Sequence, residues 1–165
     1  MKTAIIYASK TGTTRKIAKA LIDKIKGDVI TIPIAKAKSA CLLKYDFIII
    51  AGSIHYGRIQ SEIKSFVNKN SKTIQGINYG LYITCINDDK KEEYLNKSFG
   101  EETVRNALVS ESFGAELNLN KGDLITKRII NANLKRFKKE NKQAPSIKWE
   151  RVDEYANLIN EKMKK

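Results

Sequence analysis

The sequence predicts a three-layer α/β fold. Five parallel strands, doubly wound in the order 2-1-3-4-5, lie between two layers of helices. Three observations predict this. Apolar runs of strand length alternate with helical patterns along the chain. The run Phe47-Ile48-Ile49-Ile50-Ala51 is apolar at every position, as expected of a central parallel strand covered on both faces. The first apolar run, Thr3 to Ala8, gives way at once to a helical pattern. Parallel neighbours need right-handed crossovers. In this order, ligands bind where the winding reverses, at the carboxyl ends of strands 1 and 3.

Each element has its own signal. The first helix turns Ile17, Ala18, Leu21 and Ile25 inward and ends at Lys26-Gly27. Val29, Ile30 and Ile32 mark a second strand over 28–32, and 35–43 reads as a short helical turn. After the central strand, Gly52-Ser53-Ile54-His55-Tyr56-Gly57 reads as a loop. Ser61 then starts a helix that buries Ile63, Phe66 and Val67. A fourth strand covers 80–85, a helix 92–108 with a break near Gly100, and a fifth strand 113–117. An insertion over 118–148 separates that strand from a closing amphipathic helix over 149–163.

With 165 residues, of which 42% are hydrophobic, the chain suits one domain, 1–165, with a sizeable core. Cys41 and Cys85 lack metal-binding spacing and are expected to be small buried hydrophobes in a reducing compartment. A lone histidine, His55, argues against a His-based metal site, and no metal is expected. The chain opens directly into a strand and holds no apolar run of membrane-span length, so a cytoplasmic protein is expected. The formal net charge is +13.

The chemistry concentrates at Ser9-Lys10-Thr11-Gly12-Thr13-Thr14. A strand that turns at once into a helix leaves backbone N–H groups free at the positive end of the helix dipole, which is an anion site. The hydroxyls of Ser9, Thr11, Thr13 and Thr14 add donors, and Gly12 lets the backbone approach a ligand. One lysine and no arginine suit a phosphate monoester held by neutral dipoles.

Ser-x-Thr-Gly-x-Thr after the first strand resembles the phosphate loop of flavodoxins, which holds the phosphate of FMN. That resemblance implies a flavodoxin-like fold and FMN as cofactor. Ser53-Ile54-His55-Tyr56-Gly57 is similar to the loop beside the flavin ring, with Tyr56-Gly57 at the peptide that flips toward the ring nitrogen. Tyr56 would stack on a ring face. Arg58 stands where carriers commonly have an acidic residue; a cation there would favour the reduced, negatively charged ring. The third contact implied is Cys85-Ile86-Asn87, in a loop without the usual aromatic. Tyr94, on the next helix, is not counted with the site. The resemblance assigns no general acid or base, and a bound flavin can carry the redox chemistry itself.

The opening strand and loop, Gly52 to Gly57, and Trp149-Glu150 at the last helix resemble the branch that includes menaquinone-dependent protoporphyrinogen IX dehydrogenase. This implies an FMN oxidoreductase passing electrons to a quinone. The alternative is a basic flavodoxin that shuttles electrons between protein partners; carriers of the family are typically acidic. In the insertion, Leu124, Ile125, Ile129, Ile130, Leu134 and Phe137 fall mostly on one helical face. Lys127, Arg128, Lys135, Arg136, Lys138, Lys139 and Lys142 crowd the rest. A basic amphipathic helix over 124–142 would lie on an anionic membrane surface, placing the protein at the inner face of the membrane, or dock an acidic protein. Nucleic acid is not an expected partner, because no aromatic platform interleaves the lysines.

Overall fold

The apolar run Phe47–Ala51 lies at the centre of the sheet with every side chain fully buried. The protein is seen here as a computed structural model, which describes residues 1–117 and 124–164. The chain runs β1 (Lys2–Tyr7), α1 (Thr13–Lys24), β2 (Asp28–Pro33), β3 (Phe47–His55), β4 (Arg58–Ile59), α2 (Ser61–Lys69) and α3 (Ser71–Gln75). It continues with β5 (Asn78–Thr84), α4 (Lys91–Phe99), α5 (Glu101–Asn106), β6 (Val109–Ser112), α6 (Leu124–Lys139) and α7 (Trp149–Lys162). The parallel strands stand in the order β2-β1-β3-β5-β6, as predicted, and the short β4 pairs antiparallel with β3.

Strand alternation divides the core into two layers. Ile5 and Ile49 face α1 and α7, where they meet Ile17, Leu21, Val152 and Ile159. Ile6, Ile48 and Ile50 face the other side and pack with Ile63 and Val67 of α2, Ile74 of α3 and Leu95 of α4. Each such side chain contributes about 1.5–3 kcal/mol by leaving water. Both layers hold the strand ends in place, and the strand ends carry the site.

Several boundaries differ from those expected. The central strand runs on through Gly52 to His55, because Gly52 and Ser53 stay in register with Ile83 and Thr84 of β5. The last strand is 109–112 and not 113–117. Its polar residues Ser110, Glu111 and Ser112 hide it in the sequence. Glu111 is tolerated because Lys91 Nζ, at 2.9 Å, and Arg151, at 3.7 Å, match its charge. Phe113, 0% exposed, is core just beyond the strand end. The 92–108 helix is two helices broken at Gly100, and 35–43 is two 3-10 segments, Ile34–Lys36 and Ser39–Lys44. The helix of the insertion ends at Lys139 and not at 142. Residues 118–123 of that insertion lie outside the described residues. Cys85 is buried as expected, whereas Cys41 is only half-buried. Among the described residues, no helix is long and apolar enough to cross a membrane.

Candidate functional site

The site begins at the head of α1. Gly12 is its N-cap, left-handed at φ 95°, a conformation that an L side chain would strain. It leaves the helix without a side-chain bond from the cap residue, and the first turn holds no acidic residue. Ser9 Oγ accepts from the N–H of Gly12 at 3.1 Å and of Arg15 at 3.4 Å, so this hydroxyl braces the loop. The N–H groups of Lys10, Thr11, Thr13 and Thr14 have no backbone acceptor among the described residues. This cluster of open donors at the positive end of a helix dipole attracts an anion.

Thr14 corrects one expectation. Its hydroxyl was counted with the anion donors, yet the residue is 0% exposed and bonds Thr84 Oγ1 at 3.0 Å. The Tyr82 hydroxyl also donates to Thr14 O at 2.9 Å. The Thr14 side chain therefore fixes the helix start to β5, and its amide has no backbone acceptor among the described residues.

The second loop is a hairpin. Tyr56 and Gly57 join β3 to β4 as a two-residue turn with φ of 51° and 74°. Two successive positive φ values match the twist of the flanking strands. Glycine takes this conformation freely, while for tyrosine it costs roughly 1–2 kcal/mol. The turn holds the Tyr56 side chain 77% exposed. Beneath it, Ser53 N–H donates to Gln60 Oε1 at 2.9 Å, and Gln60 Nε2 donates to Ser53 Oγ at 2.5 Å. Ser53 Oγ also lies 2.9 Å from His55 Nε2. Burial first, and the Lys10 charge second, push the His55 pKa below its usual value, which keeps the ring neutral at pH 7.

The third loop follows β5. Cys85 N–H donates to Gly114 O at 3.1 Å, and its sulfur lies 3.3 Å from Ser112 Oγ. Burial pushes the thiol pKa up, so Cys85 is a protonated packing group and no nucleophile. Arg151 of α7 holds Asp88 of the same loop at 2.5 Å and donates to Ser112 O at 3.2 Å.

These loops enclose a cavity of about 320 Å³. Thr11 and Thr13 come from the first loop, Ser53 to Gly57 from the second, and Cys85 to Asn87 from the third. A wider depression of about 850 Å³ lies across the phosphate-type loop, lined by Ser9, Lys10, Gly12, Arg15 and Arg58. Thr11 and His55 border both spaces. Arg58, expected beside a ring, therefore faces the depression and not the cavity.

Two contributors lie outside the residues counted from the sequence. Tyr94 of α4, left out of the site although it could reach in from the next helix, lines the cavity, and a Cβ built on Gly57 would lie 3.8 Å from its ring. It places an aromatic at a cavity whose third loop has none. The insertion helix α6 forms a further wall through Ile129, Ile130, Asn133 and Arg136. The stripe, expected to belong to a helix on a membrane surface or an acidic partner, instead places Ile129 and Ile130 against the cavity.

The family described as Flavodoxin domain matches residues 4–144. The chain belongs to the flavodoxin family. FMN is the cofactor of this family, in agreement with the loop at the head of α1. Among solved structures, a flavodoxin from the domain Archaea shares 15% identity over 100% of each chain, with a TM-score of 0.62. The flavodoxin of Streptococcus pneumoniae TIGR4 shares 19% identity over 98% of this chain and 99% of its own, at 0.63. Both likenesses concern the fold. Among curated proteins, protoporphyrinogen IX dehydrogenase [quinone] of Escherichia coli K12 is 29% identical over 85 residues. The match takes in 50% of this chain and 47% of that protein, so the flavodoxin-family chain spans about half the length of the relative it matches.

Proposed function

We propose that this flavodoxin-family protein is an oxidoreductase that binds FMN and passes electrons from an organic donor to a quinone or a redox partner protein. The observation that carries the reading is the set of open amides at the head of α1, directly beside a cavity of about 320 Å³. The amides of Lys10, Thr11, Thr13 and Thr14, with the Thr11 and Thr13 hydroxyls, would hold the phosphate. Tyr56 and Tyr94 would flank the flavin ring, and the backbone of Gly57 and of Cys85 to Asn87 would bond its edge. Bound FMN supplies the redox chemistry, and the protein supplies position, electrostatics and exclusion of water. Burial first, and the Lys10 charge second, keep His55 neutral where it borders both spaces, and Ser53 Oγ pairs with its Nε2.

An enzyme is favoured over a carrier because α6 adds a wall to the cavity, which suits a small substrate held against the ring. The partial similarity to protoporphyrinogen IX dehydrogenase supports porphyrinogen as donor and quinone as acceptor. The second reading, a basic flavodoxin between protein partners, draws on the net charge of +13 and the exposed Tyr56. In either case α6 offers a cationic surface for docking. Turnover of protoporphyrinogen with a soluble quinone analogue supports the enzyme; reduction of partner proteins without such turnover supports the carrier.

The cofactor assignment has its own test. Each hydrogen bond to a charged phosphate is worth about 1.5–3 kcal/mol. Thr11→Ala with Thr13→Ala is therefore expected to weaken FMN binding by at least tenfold, read by quenching of flavin fluorescence. Wild-type affinity in the double variant would remove the phosphate from this loop.

A further inference from the structure

We propose that Arg136, on the insertion helix α6, sets the reduction potential of the bound flavin. The insertion is then part of the redox centre. This inference rests on the FMN reading above and concerns how that site is tuned. Among the described residues that line the ring cavity, Arg136 is the one lysine or arginine, and Glu116 is the one carboxylate. Glu116 is already matched, because Lys16 Nζ donates to its two oxygens at 2.8 and 3.1 Å. His55, also on the cavity wall, is held neutral.

Arg136 borders the cavity with its side chain half-exposed, its guanidinium over the Phe137 ring at 5.4 Å, and it lies in no tight ion pair among the described residues. Among the described residues its nearest carboxylate is Glu140, with Nε to Oε1 at 4.0 Å, the outer limit of pairing. The other Glu140 oxygen is taken by Lys142 Nζ at 2.9 Å. Ile130, 4% exposed, anchors α6 at the cavity, and Arg136 lines the same cavity six residues further along the helix. An arginine cannot lose its proton at any working pH, so this cation is permanent.

The consequence is electrostatic. Two electrons and one proton, delivered by an external reductant, leave the flavin ring with one negative charge. The oxidised ring carries none. A fixed cation on the wall therefore binds the reduced ring more tightly than the oxidised one and raises the potential. The sequence suggested Arg58 for this task; the fold turns Arg58 toward the open depression and brings Arg136 in from a helix 78 positions later.

The test compares wild type, Arg136→Gln, Arg136→Lys and Lys139→Gln, each reconstituted with FMN and titrated with dithionite in a spectroelectrochemical cell. Binding of oxidised FMN is measured first, by fluorescence quenching. Arg136→Gln is expected to bind oxidised FMN as wild type does. It is expected to lose about tenfold in preference for the reduced form, a fall of about 30 mV in the two-electron potential. Arg136→Lys keeps the charge and most of the potential, and Lys139→Gln, on the exposed face, leaves it unchanged. No fall in Arg136→Gln, an equal fall in Lys139→Gln, or an equal fall in Arg136→Lys would each overturn the proposal while leaving the FMN reading intact. Failure of the wild type to bind FMN would overturn both.

Discussion

His55 shows how one side chain couples the site to pH. Burial and Lys10 lower its pKa in the folded protein from the usual 6.5. The unfolded chain therefore takes up the proton more readily than the folded one. Stability from the neutral ring is fully present above about pH 6.5 and is lost as pH falls through the lower folded value. Thermal melts without added FMN, at about pH 7.5 and about pH 5.5, are expected to show this loss. His55→Gln should show a smaller drop. An identical drop in the variant would mean that other groups carry the acid sensitivity. At this scale, legibility depended on chain neighbours. Ser9 to Gly12 and Ser53 to Gly57 were readable because a contiguous stretch shapes each loop. Arg58, one residue past the turn, lines the wider depression with Ser9, Lys10 and Gly12, a placement that depends on the reversal of the strand.

At the scale of elements, α6 carries two faces with separate tasks. Ile129 and Ile130 turn to the cavity, while Lys135, Lys138 and Lys139 are exposed. Leu124 and Ile125, at 80% and 67% exposure, stand bare at the helix start. Clustered cations near an anionic bilayer gain about 1 kcal/mol each, and salt screens the gain. Changing Lys127, Lys135, Lys138 and Lys139 to Gln is expected to abolish salt-sensitive sedimentation with phosphatidylserine vesicles. FMN affinity and melting temperature should remain. Sedimentation that survives the change, or wild-type protein that ignores the vesicles at low salt, would show that this face serves no such docking. The amphipathic pattern was legible in the sequence, but its inner partner was not. A periodic stripe reports that a face is covered and is silent about what covers it. The same limit explains β6: its alternation is polar, and only Lys91 and Arg151, distant in sequence, make Glu111 acceptable in a strand.

The whole molecule depends on how tightly its two layers close on the sheet. Tyr155 of α7 packs edge-on to Phe113, with ring centroids 5.3 Å apart, and its hydroxyl is buried without a partner. That hydroxyl occupies the space a Cβ on Gly80 of β5 would need, where such an atom would also meet Val109 Cγ2 at 3.0 Å and Phe47 Cζ at 3.3 Å. Tyr155→Phe is therefore expected to leave stability unchanged or raise it, because an unpaired buried polar group costs about 1–3 kcal/mol. Gly80→Ala is expected to cost about 1–3 kcal/mol by overpacking, and less in the Tyr155→Phe background. Chemical denaturation of the four proteins gives the coupling; additive losses would mean that the two residues do not share this contact. The layer order itself was plain from the sequence, since the apolar run Phe47–Ala51 requires cover on both faces.

The Tyr56–Gly57 turn also bears on the order of assembly. The five long strands pair in parallel, so Thr3 must find Phe47, and Ile48 must find Tyr79, across intervening helices. Such distant closures slow a chain's search. Ile54 meets Ile59 across only the hairpin. A hairpin closes in about 1–10 μs, well before long-range pairing is complete. The turn that carries Tyr56 beside the cavity thus belongs to the local steps of folding, ahead of the long-range pairing of the sheet that later surrounds it.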